Sequence, residues 1–209
     1  MHEQEERVTG LILAGGKSAR FGSDKASAPL LGKPMLQWVI SALGGACDAL
    51  IVVAAQGQQL PNIEASVPVA VVVDEYERLG PLAGLVSGFA AVRTPLCFAM
   101  PCDAPLVRPE LVSLLASLSA AWDIVCPYVG GFMQPLAALY RVETCLPVFR
   151  DFVERDLLKV TAAFGPLRTR VVREGELRAV DPALESFLNA NRPETLEEVV
   201  AILAARQTA

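Results

Sequence analysis

The densest chemistry in the sequence lies in Leu13-Ala14-Gly15-Gly16-Lys17-Ser18-Ala19-Arg20-Phe21-Gly22-Ser23-Asp24-Lys25. Adjacent glycines let the backbone approach a ligand closely, and free N–H groups beside the cations Arg20 and Lys25 suit a polyphosphate. The glycine spacing is not that of the Gly-x-Gly-x-x-Gly dinucleotide turn. Nor is Lys25 flanked by the Gly and Ser/Thr of a P-loop. The segment reads as a phosphate grip of another kind, against the plainer alternative of a glycine-rich connection.

Two further segments carry candidates. Met100-Pro101-Cys102-Asp103-Ala104-Pro105 places a carboxylate at the end of an apolar run, where it is costly unless paired or bound to a cation. Asp103 is thus a hard oxygen ligand for magnesium or, alternatively, a turn cap. Cys102 beside it reads as a small packing residue. Asp74 ends another apolar run and precedes Leu79-Gly80-Pro81-Leu82-Ala83-Gly84, where a helix beginning near Pro81 turns free N–H groups toward an anion. Gly-Pro is equally an ordinary turn.

Histidine-based chemistry is excluded, because the only histidine is His2. Five cysteines without a Cys-x-x-Cys pair, several in apolar stretches, fit buried thiols in a reducing cytoplasm. A net charge of -5 with dispersed Lys and Arg argues against a nucleic-acid partner. Met1 to Arg7 carries three Glu and no apolar run, so it is expected to be a short flexible tail rather than an export signal. Uncharged runs are too short for a bilayer or broken by Pro and Gly, so no membrane association is expected.

These segments must be held by elements the hydrophobic pattern predicts. Strands are expected at Val8–Leu13, Ala49–Ala54, Val69–Val73, Leu96–Met100, Asp123–Tyr128 and Pro135–Tyr140, with an edge strand at Arg168–Val172. Helices are expected at Met35–Leu43, after Pro34 and before Gly44, and from about Leu82 to Val92. Two more are expected at Pro109–Ser119 and Pro193–Arg206. The alternation calls for one α/β domain over residues 8–209, with a mostly parallel, doubly wound sheet and helices on both faces. Ligands then sit beyond the carboxyl ends of the strands.

The segment Leu13 to Lys25, continued by Gly32-Lys33-Pro34-Met35-Leu36, resembles the signature of the molybdenum cofactor guanylyltransferase family, and the resemblance runs across nearly the whole chain. It implies a Rossmann-like fold of the nucleotide-diphospho-sugar transferase type. It also implies transfer of GMP from GTP to molybdopterin, with diphosphate released. On this resemblance Leu13, Ala14, Gly15, Gly16, Lys25, Asp74 and Asp103 bind the nucleotide. Arg20, Lys25 and Asp103 are catalytic, and Asp103 holds Mg2+.

Phe187-Leu188-Asn189-Ala190-Asn191-Arg192 is similar to the family's Asn-x-Asn segment, which implies Asn189 and Asn191 near the pterin substrate. Asn191 is alternatively a helix cap, with Glu194 completing a capping box. The related CMP-transferring enzyme has Ala-Ala-Gly where this chain has Ala14-Gly15-Gly16, so Gly15 implies a guanine nucleotide. One departure stands out. Relatives often carry Asn after the second strand, whereas this chain has Ala54-Ala55-Gln56. The expected partners are GTP and molybdopterin, with transient contacts to other molybdenum cofactor proteins. The open alternatives are CTP, a sugar phosphate acceptor, or a nucleotide-binding module without catalysis.

Overall fold

A computed structural model of the chain describes residues 6–15, 24–76 and 79–208. In chain order its strands and helices begin with β1 (Val8–Leu13), the short hairpin β2 (Pro29–Leu30) and β3 (Lys33–Pro34), and α1 (Met35–Leu43). Then come β4 (Ala49–Ala54), β5 (Val69–Val73), α2 (Pro81–Ala91), β6 (Leu96–Pro101) and α3 (Pro109–Ser117). They continue with β7 (Ile124–Val129), β8 (Phe132–Met133), β9 (Ala138–Arg141) and α4 (Val142–Glu154). The series closes with β10 (Thr169–Arg173), α5 (Glu174–Leu177) and α6 (Pro193–Thr208).

The main sheet runs β10-β7-β9-β6-β1-β4-β5, with β8 hydrogen-bonded to β7 outside this path. Its pairings are parallel except at β9, which runs against both β6 and β7, and at the β7–β8 hairpin. β10 lies at an edge, as its sequence suggested. Side chains of the central strands alternate between two cores, as a strand covered on both faces requires. Ile12 and Val52 join α1 and α3 in one core, while Leu11, Ile51 and Val53 join α2 and α4 in the other. The α/β, mostly parallel architecture expected from the sequence is therefore the one observed.

α1 buries Met35, Leu36, Val39, Ile40 and Leu43, the helical spacing seen in the sequence. α2 lies close enough to the sheet that a Cβ at Gly88 would stand 2.4 Å from Leu11 Cδ1. α4 was not among the sequence expectations. Its buried residues Val142, Cys145, Phe149 and Val153 have helical spacing, but Pro147 sits inside the helix and masks the pattern. Phe149 stacks 5.7 Å from Phe89 and meets Tyr140 edge-on at 5.6 Å, joining α4 to α2 and β9. The strand expected from Pro135 begins only at Ala138, because Pro135 and Leu136 form a turn in which the Ala137 N–H bonds the Gln134 carbonyl at 3.0 Å.

Chain reversal makes the crevice. β1 leads through α1 to β4 on one side, whereas α2 carries the chain back to β6 on the other. The carboxyl ends of β1 and β6 thus flank a topological switch point, where open α/β sheets bind ligands. A bond from the Cys102 N–H to the Leu13 carbonyl, 3.1 Å long, ties the two strand ends together.

Candidate active site

Asp103 follows β6 and is 8% exposed. Its Oδ2 accepts a hydrogen bond from Lys25 Nζ at 2.9 Å, an ion pair with side-chain exposures of 11% and 23%. Lys25 opens a short 3-10 turn, Lys25–Ser27, whose first N–H groups are served by Asp24. The Asp24 Oδ1 accepts from the Ala26 N–H at 3.0 Å. The same ammonium also donates to Asn191 Oδ1. The 189–191 segment is itself fixed by a 2.8 Å bond from the Ala190 N–H to the Asp103 carbonyl. Lys25, Asp103 and Asn191, expected from separate motifs, therefore meet at one point.

Asn191 uses its side chain on Lys25, and the start of α6 is instead supported by Thr195, whose Oγ1 accepts from the Arg192 N–H at 3.1 Å. Asn189 is half-buried beside it, and its carbonyl accepts from the Asn191 N–H at 2.8 Å. Gly16 and Arg20 lie outside the described residues, as do the other members of 16–23.

Ala14 and Gly15 turn off β1 against β4. Both N–H groups donate to the Val53 carbonyl, at 2.9 and 3.0 Å. A Cβ at Gly15 would stand 3.0 Å from the Ala55 nitrogen, so the glycine lets the loop pack against the β4 end without displacing it. Asp74 is placed further along the crevice. Its Oδ1 accepts from Ser87 Oγ at 2.8 Å and from the Tyr76 N–H at 3.1 Å, tying the end of β5 to α2. Gly84 makes room there: a Cβ would be 3.1 Å from Leu13 Cδ2 and 3.8 Å from Asp74 Oδ2. Leu13 and Asp74 thus share a wall, apart from the Lys25 contacts.

Two residues of the crevice were not among the sequence candidates, namely Asp24 and Gln58. Gln56, the residue singled out after β4, points to solvent at the second position of a turn. Gly57, at φ +72°, completes that turn, and the Gln58 N–H closes it on the Ala55 carbonyl at 3.1 Å. Gln58 is carried inward, where its Nε2 lies 2.8 Å from Asp24 Oδ2 and 3.0 Å from the Ala14 carbonyl. Only the turn glycine announced this in the sequence. A buried Cys102 completes the surroundings. Burial pushes its thiol up to about 12, with the negative charges of Asp103 and Asp24 adding and Lys25 opposing. It is a neutral packing group.

A MobA-like NTP transferase domain model matches residues 10–168. A molybdenum cofactor guanylyltransferase of Desulfosudis oleivorans is 32% identical over 202 residues, covering 96% of this chain and 98% of its own. The chain belongs to the molybdenum cofactor guanylyltransferase family. A probable molybdenum cofactor guanylyltransferase of Chloroflexus aggregans is 33% identical, over 94% of this chain and 95% of its own. Among solved structures, molybdopterin-guanine dinucleotide biosynthesis protein A of Archaeoglobus fulgidus superposes with a TM-score of 0.77 at 21% identity. It covers 94% of this chain and 99% of its own. A 2-C-methyl-D-erythritol 4-phosphate cytidylyltransferase of Thermus thermophilus superposes at 0.64 with 13% identity, over 93% of this chain and 98% of its own, which shows the shared fold.

As a member of this guanylyltransferase family the chain is a nucleotidyltransferase. No helix among the described residues is long and apolar enough to cross a membrane. No group of three or more His, Cys, Asp or Glu side chains among them could by itself enclose a metal ion. The donor set at Asp103 is of a different type. One carboxylate oxygen is held by Lys25, and Oδ1 has no hydrogen-bond partner among the described residues. A single carboxylate completed by substrate phosphates and water is how Mg2+ is commonly bound.

Proposed function

We propose that the protein transfers GMP from GTP to molybdopterin, forming the guanine dinucleotide and diphosphate, with Mg2+ at Asp103. The observation that carries this reading is the convergence of Lys25, Asp103 and Asn191 at the carboxyl end of β6 in a chain of this family. The attacking group is a phosphate of the acceptor. Already anionic, it needs no strong general base, which agrees with a sequence whose only histidine is His2. The obstacle is repulsion between the attacking phosphate and the triphosphate.

Lys25 offsets that repulsion as an ammonium aimed into the crevice, and Arg20 is assigned to the same task from the sequence. When bound, Mg2+ would supply further positive charge to the phosphate oxygens. Asp103 would hold it through the oxygen that Lys25 leaves free. Asp24 and Asp103 together outnumber Lys25 in charge among the described crevice residues, so a bound cation also balances the site. The Ala14–Gly15 backbone, seated on β4, shapes the nucleotide side, while Asn189 and Asn191 face the acceptor.

The test is diphosphate release with molybdopterin and GTP, CTP or ATP in turn. Release with GTP well above CTP and ATP is the expected result. Preference for CTP would mark the cytidylyl-transferring relative instead, and binding of nucleotide without release in any combination would reduce the chain to a nucleotide-binding module.

A further inference from the structure

We infer that Gln58 is a positioning residue that sets Lys25 for the triphosphate by tying both ends of the glycine loop to the turn after β4. The inference rests on the nucleotidyltransferase reading of the crevice. The Gln58 amide is used at both of its heavy atoms. Oε1 accepts from the Ala55 N–H at 2.8 Å, and Nε2 donates to the Ala14 carbonyl at 3.0 Å and to Asp24 Oδ1 and Oδ2 at 2.9 and 2.8 Å. The reverse orientation would set an amide oxygen against a carbonyl and a carboxylate, so the partners dictate the amide's direction.

Gly15 and Asp24 are the described residues that flank the 16–23 segment, and Ala14 directly precedes Gly15. One side chain from the turn after β4 therefore holds both Ala14 and Asp24. The second consequence concerns charge. Asp24 is the immediate neighbour of Lys25 and could compete with phosphate for its ammonium. With both oxygens engaged by Gln58, and Oδ1 also by the Ala26 N–H, Asp24 instead caps the turn that aims Lys25 at Asp103 and Asn191. Gln58 is uncharged and makes no hydrogen bond to Asp103, so its effect on turnover passes through the groups it holds, chiefly Asp24 beside Lys25 and also the Ala14 carbonyl.

The test compares wild type, Gln58→Ala, Gln58→Glu, Lys25→Ala and the Gln58→Ala/Lys25→Ala double variant. Thermal unfolding, GTP affinity by equilibrium titration, and kcat and KM for diphosphate release are measured for each. Gln58→Ala should lower kcat about tenfold or more and weaken GTP binding, with acceptor KM and thermal midpoint close to wild type. Gln58→Glu, equal in length but carrying a carboxylate toward Asp24, should lose more than Gln58→Ala and serves if the latter folds poorly. The double variant should be no worse than Lys25→Ala alone, because groups acting as a unit are not additive. Multiplying losses in the double variant, or wild-type GTP affinity and kcat in both Gln58 variants, would overturn the inference. A wild-type protein that binds GTP but releases no diphosphate would sink the proposed function instead, and the titrations would then decide the role of Gln58 by themselves.

Discussion

Lys25 Nζ lies 2.9 Å from Asp103 Oδ2 across 78 residues of sequence, and this pair joins the glycine loop after β1 to the end of β6. The carboxylate is largely buried, so its neighbours, rather than water, set its charge balance.

Replacing either partner tests the chemistry directly. Lys25→Ala and Asp103→Ala are expected to fold, since both side chains sit at the crevice and not in the apolar cores. Diphosphate release should fall by roughly two or more orders of magnitude in each, the scale of a lost electrostatic stabiliser. Near-normal turnover in either would remove these residues from the catalytic assignment.

Asp123 supplies a pH-dependent element of stability away from the site. Three bonds from Arg168, two from its guanidinium and one from its backbone N–H, converge on the carboxylate and hold β10 beside β7. The side-chain bonds of Arg168, first among the causes and opposed by burial, lower the carboxyl from 3.8 to about 2. A depressed folded value means stabilisation that is fully present above the unfolded value and lost as pH falls through the folded one. The contribution, about 2 kcal/mol, should therefore disappear between about pH 4 and pH 2. Urea unfolding across that range should show a steeper fall in wild type than in Asp123→Asn. Parallel curves would refute the assignment.

The same substitution should cost stability at one glycine and none at another. At Gly88 a Cβ would meet Leu11 Cδ1 at 2.4 Å, Leu11 Cδ2 at 2.8 Å and Val53 Cγ2 at 3.0 Å, so Gly88→Ala is an overpacked core. A loss of about 1–3 kcal/mol is expected. Gly175, in α5, has no such neighbour within 4 Å. Gly175→Ala should be neutral or stabilise by about 0.5–1 kcal/mol through reduced freedom of the unfolded chain. Thermal denaturation of the two variants reads the difference.

All five cysteines are buried and unpaired by disulfides. Burial pushes the thiols of Cys47, Cys102, Cys126 and Cys145 up to about 12, and raises that of Cys97 well above the usual value. A thiol reagent at pH 8 should label them only slowly in the native protein, and all five rapidly in denaturant. One rapidly labelled thiol under native conditions would contradict this burial.

Several elements were legible because the relevant signal is local. β1, β4 and α1 occupy the residues their apolar patterns indicated, since runs buried on both faces and a helical stripe both repeat within a few positions. The apolar run of β5 also matched, although Val71 and Val73 are exposed at the sheet edge. α4 was hidden by Pro147, and the antiparallel course of β9 has no local signature, because strand direction is set by where the preceding turn returns the chain. Gln58 gave no signal of its own. A polar residue in a loop becomes a strut only when Gly57 turns it toward Ala14 and Asp24.

The sequence by itself determined the alternating α/β plan, the loop chemistry and the family resemblance, all of which rest on residue types at short spacing. The tertiary structure decided which of those segments share a site. It brought Lys25, Asp103 and Asn191 together, gave Asp74 to Ser87, and recruited Gln58. Such contacts depend on strand order and on which way each turn folds back, and those are fixed by long-range packing of both sheet faces.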